Sequence, residues 1–67
     1  MTKEVYIELS AAFNRGDCTE SEYRKKLRKA GANKELIKKL IRMENEFAGD
    51  AADYIVDAEK NIIDVEY

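Results

Sequence analysis

The chain has 67 residues, 45% of them apolar and 39% charged, with a net charge of −2, one cysteine, no proline and no histidine. That length allows one domain, residues 1–67, whose small core gives only marginal stability without outside help. One cysteine excludes an internal disulfide, and the lack of histidine excludes the usual zinc and haem constellations and histidine-activated nucleophiles.

Composition predicts a mainly helical fold, since Leu, Ile, Ala, Glu, Lys and Arg dominate. No run of 18 apolar residues exists, and the Met1-Thr2-Lys3-Glu4 start lacks the apolar stretch of a signal peptide. A cytoplasmic protein with no membrane partner is therefore expected. The small net charge hides a strong segregation. Residues 1–23 carry −3, residues 24–42 carry +8 and residues 43–67 carry −7. Such blocks create local fields that the total conceals.

Val5, Leu9, Ala12 and Phe13 recur at helical spacing and predict a first helix over residues 2–14. Thr2 is placed to cap it, and Gly16 to end it. Tyr6 and Ile7 fall outside this narrow stripe, where they widen the core or form a contact patch. Arg15-Gly16-Asp17 resembles an adhesion tripeptide but reads as a helix-ending turn.

Thr19 and Glu22 form a capping box, flanked by Cys18 and Tyr23 in the positions of a hydrophobic staple. A second helix follows from Glu20 to about Lys29, with Tyr23, Leu27 and Ala30 inward and Gly31 at its end. Cys18 reads as a packing residue, because no neighbouring histidine is present to activate it. Asn33 caps a third helix whose wide apolar face holds Leu36, Ile37, Leu40, Ile41, Met43 and Phe47, with Gly49-Asp50 as its break.

Ala51, Ile55, Ala58, Ile62 and Val65 are spaced 4, 3, 4, 3, which predicts a fourth helix with Asp50 as cap. The alternative is a β-hairpin pairing Tyr54-Ile55-Val56 with Ile62-Ile63-Asp64-Val65 around Glu59-Lys60-Asn61, supported by β-branched residues. The expected fold is thus an all-α bundle of three to four helices, with residues 51–67 as helix or hairpin. Its seven-residue seam also predicts self-association into a homo-oligomer.

Residues 15–27 resemble the Gly-x-x-Thr-x-x-Glu-aromatic pattern of SHOCT-type short helical segments, through Gly16, Thr19, Glu22, Tyr23 and Leu27. The resemblance implies a small oligomerisation or interaction module.

Helix 2, the Gly31 turn and helix 3 outline a helix-turn-helix that would bury Ala30, Ala32, Ile37 and Leu40. Lys34, Lys38 and Arg42 repeat every four residues with Lys39 beside them, as phosphate contacts would. With Arg24 and Arg28 they form the candidate polyanion-binding set. Lys26 stands where such a unit expects an apolar residue, and Asn33 is the one amide near the start of helix 3. The carboxylates Asp50, Asp53, Asp57 and Asp64 line one face of the expected fourth helix. They lack the loop of a calcium site and the cleft of an acid–base pair.

These features predict a non-enzymatic module with no cofactor, catalytic residue or metal site. It would act as an adaptor or inhibitor on a larger protein, touching it through Tyr6, Ile7, Asp53, Asp57, Ile63, Asp64 and Tyr67. The alternative is a helix-turn-helix regulator that lays residues 33–48 on DNA.

Overall fold

The computed structural model describes residues 1–47 and 53–66. Three helices, α1 (Lys3–Asn14), α2 (Glu20–Lys29) and α3 (Lys34–Phe47), precede a hairpin of β1 (Asp53–Val56) and β2 (Ile62–Glu66). The all-α expectation is overturned, and the chain is a small mixed α/β fold. The predicted break at Gly49-Asp50 lies outside the described residues, as do Ala51, Ala52 and Tyr67.

Local chemistry sets the helix ends. Thr2 caps α1, accepting from the Val5 N–H at 3.4 Å. At its far end the Gly16 and Asp17 N–H groups return to the Phe13 and Ala12 carbonyls. Gly16 takes φ +81°, the left-handed conformation that suits glycine. Arg15 and Asp17 pair with each other at 2.9 Å across this turn.

The capping box of α2 is present in both directions. Thr19 Oγ1 accepts from the Glu22 N–H at 3.2 Å, and the Glu22 carboxylate accepts from the Thr19 N–H at 3.0 Å. The latter bond holds the Glu22 carboxyl below its ordinary range. The end of α2 repeats the pattern of α1, with Gly31 at φ +110° and the Ala32 N–H on the Leu27 carbonyl. Ala32 is thereby buried beside Leu27. Asn33 caps α3, its Oδ1 accepting from the Leu36 N–H at 2.8 Å.

The core joins Tyr23 and Leu27 of α2 to Leu36, Ile37, Leu40, Ile41 and Met43 of α3, with Tyr6, Ile62 and Val65. Phe13 stacks on Tyr23 with ring centroids 4.5 Å apart, and Cys18 packs half-buried at the margin. The inward face of α1 differs from the expected stripe. Tyr6 is buried and Val5 is turned out, because α1 presents hydroxyls to a carboxylate in the core rather than a purely apolar edge.

Residues 53–66 are a hairpin and not a helix, so the seven-residue seam does not exist. Ile55, Ile62 and Val65 lie on strands, and Ala58 lies in the turn. Asp57 organises that turn: its Oδ1 accepts from the Glu59 and Asn61 N–H groups at 2.9 Å, while Lys60 adopts φ +65°. The pairing steps from Ile55↔Asp64 to Val56↔Ile62, leaving Ile63 as the extra residue of a bulge. A two-stranded hairpin is marginal alone. Here Ile62 and Val65 are buried with α3, Tyr54 meets Tyr6, and the Ile62 N–H donates to the Met1 carbonyl.

Candidate nucleic-acid interface

Four residues join Lys29 of α2 to Lys34 of α3, and a concavity lies between the two helices. This concavity of about 300 Å³ is lined by Ser21, Arg24, Lys25 and Arg28 of α2 and by Lys34 and Ile37 of α3. The α2 residues recur at i, i+3, i+4 and i+7, one face of the helix. Among the described residues no carboxylate lines it. Arg24 makes a loose contact with Glu20 at 3.7 Å. Lys25 acts on the Glu22 carboxylate through charge, and among the described residues no carboxylate forms an ion pair with Lys25, Arg28 or Lys34 within 4.0 Å.

A second depression of about 290 Å³ runs along the exposed side of α3, lined by Glu35, Lys38, Lys39 and Arg42. Its cations are partly engaged. Lys39 Nζ donates to Asp64 Oδ1 at 2.6 Å, tying α3 to β2, and Arg42 Nε donates to Glu46 at 3.0 Å. Lys39 and the Val65 N–H hold the Asp64 carboxyl below its ordinary range. The six expected polyanion-binding residues are thus divided. Arg24, Arg28 and Lys34 surround the cleft, while Lys38, Lys39 and Arg42 follow α3. Lys26, placed by the helix-turn-helix pattern at an apolar position, is exposed.

The expected partner-binding residues are spread over α1 and the hairpin, with Tyr67 outside the described residues. Tyr6 is buried and donates its hydroxyl to Glu44, so it is withdrawn from that role. Asp53, Asp57 and Asp64 were expected on one helix face. They lie instead on β1, in the turn and on β2, the last two bound within the fold. Ile7 and Ile63 are each 53% exposed.

Sequence reasoning missed two features. Ser21 and Lys25 complete the cleft, and the i, i+3, i+4, i+7 spacing of α2 was their signal. Glu44, only 8% exposed, is held by Tyr6 and Ser10 at 2.6 Å and by Asn14 at 3.1 Å. The polar spacing of Tyr6, Ser10 and Asn14, four residues apart, marked that line. Among the described residues no group of acidic or cysteine side chains is arranged to hold a metal ion, and no helix is long and apolar enough to cross a membrane. Comparison with family models, with curated proteins and with solved structures returns no match to this chain.

Proposed function

We propose that the chain is a small, non-enzymatic module that binds duplex DNA through its α2–turn–α3 face, in a cytoplasmic setting. The observation that carries the reading is the cleft between the two helices. Arg24, Lys25, Arg28 and Lys34 surround it, with no carboxylate of the described residues on its walls. Like charges crowded around a concavity repel one another, and a polyanion relieves that repulsion. The four-residue connection containing Gly31 is the length of a helix-turn-helix joint. Lys38 extends the positive surface along α3.

The reading is tested by fluorescence-anisotropy titration of a duplex at two salt concentrations. About four phosphate contacts imply a roughly 100-fold loss of affinity between about 50 mM and about 200 mM salt. Lys34→Glu/Lys38→Glu should abolish what remains. Absence of binding by the native chain at the lower salt would overturn the reading.

A second reading is a protein-interaction adaptor or inhibitor that self-associates, towards which the SHOCT-type resemblance of residues 15–27 also points. The half-exposed Ile63 and its neighbours Ile55 and Val56 on the hairpin favour it. Light scattering over a wide dilution series checks the self-association, and the mass of a single chain throughout would remove it.

A further inference from the structure

A helix-turn-helix ordinarily reads bases with side chains near the start of its second helix. In this chain those positions are ill suited to reading. The Asn33 side-chain oxygen accepts from the Leu36 N–H, and the exposed residues in the first turns of α3 are Lys34, Glu35, Lys38 and Lys39, with Arg42 one turn on. Of these, Lys39 is held by Asp64 and Arg42 by Glu46. A lysine on a phosphate positions the protein without reading the sequence.

The cleft offers what a phosphate needs. Arg24 and Arg28 stand one turn apart on α2, Lys34 faces them from α3, and Ser21 adds a hydroxyl. Guanidinium groups present paired N–H donors that match phosphate oxygens. The first turn of α3, to which Lys34 belongs, adds the partial positive charge of a helix N-terminus. Ile37 and the aliphatic stems of the cations form an apolar floor suited to the sugar between phosphates.

We infer that the α2–α3 cleft is a phosphodiester seat for the DNA backbone, so that the helix pair grips the strand without reading its sequence. This rests on the duplex-binding reading above and names the atoms that would carry it. The seat takes one backbone phosphate between Arg24, Arg28 and Lys34. Lys38 lies outside it and assists only through its charge.

The test uses the full chain, two duplexes of unrelated sequence and the variant Arg24→Gln/Arg28→Gln. Glutamine is a good helix former, and both arginines are exposed, so α2 should keep its fold; unchanged circular dichroism and thermal midpoint check this. The native chain is expected to bind the two duplexes within about threefold of each other. The variant should weaken both about tenfold or more and lower the slope of log affinity against log salt by about one, the single phosphate of the seat. Ser21→Glu, which puts a negative charge into the cleft without removing a cation, should weaken both duplexes as well. If either variant left affinity and salt slope unchanged while the native chain still bound, the seat would be overturned and the broader reading would stand. Strong preference for one duplex would overturn the sequence-blind grip in the same way. No binding by the native chain would overturn both.

Discussion

Glu44 is the residue on which the interior turns. A carboxylate withdrawn from water needs hydrogen bonds in compensation. Three side chains of α1 supply them, which joins α1 to α3 through a polar line running from buried Tyr6 past half-buried Ser10 to exposed Asn14. Tyr23 sits beside this network with a different status. Its hydroxyl lies close to those of Tyr6 and Ser10, yet it makes no hydrogen bond of acceptable geometry among the described residues. The two tyrosines therefore predict opposite outcomes. Tyr6→Phe removes a bond to a charged acceptor and should cost about 2 kcal/mol in urea unfolding. Tyr23→Phe removes an unsatisfied group and should be neutral or stabilising. Equal losses in the two variants would contradict this assignment.

The same residues make stability depend on alkaline pH. Burial, and after it the charge of Glu44, pushes the Tyr23 phenol up to about 12. Burial, and after it the hydrogen bond to Glu44, raises Tyr6 further still. In the unfolded chain both ionise near the ordinary value of about 10. Their contribution is therefore intact below that value and is lost as pH rises. From about pH 10 to about pH 12 stability should fall as pH rises, because the unfolded phenols ionise while the folded ones keep their protons. Urea midpoints measured across that window check it, and a constant midpoint would contradict it.

At the scale of elements, caps and turns matter most. Thr19→Ala removes one half of the capping box and should cost about 1 kcal/mol in a thermal melt. Gly31→Ala should cost about as much for another reason. The added Cβ would meet Met1 only at ordinary contact distance, 3.5 Å, so the penalty comes from φ +110° and not from a clash. These features were legible in the sequence because each is settled within a few residues: Thr19 with Glu22, Cys18 with Tyr23, and Gly31 after the last turn. The face of α1 was not legible from its apolar spacing. Tyr6, Ser10 and Asn14 turn inward to satisfy Glu44, which lies 30 or more residues away in the chain. Residues 53–66 fit two periods at once. Tertiary contacts decide between them, with Tyr54 against Tyr6, Ile62 and Val65 beneath α3, and Asp57 closing the turn. The α2 wall of the cleft could be read from Ser21, Arg24, Lys25 and Arg28. Lys34 joins them from α3, across the Gly31 turn.

At the scale of the whole molecule, the charge blocks of the sequence become surfaces of opposite sign. Cations gather on α2 and α3, while the hairpin exposes Asp53, Asp57, Glu59 and Glu66. Lys39 and Asp64 bridge the two regions at 2.6 Å. A polyanion should therefore approach from the helix pair and avoid the hairpin, since like charges repel at close range. The most direct measurement is a set of two-dimensional amide NMR spectra of the chain recorded during titration with duplex DNA at low salt. Amide shifts should move together along Ser21–Arg28 and Lys34–Lys38, while those of Asp53–Val56 and Asp57–Asn61 stay in place. Shifts confined to the hairpin, or none anywhere at saturating DNA, would contradict the account.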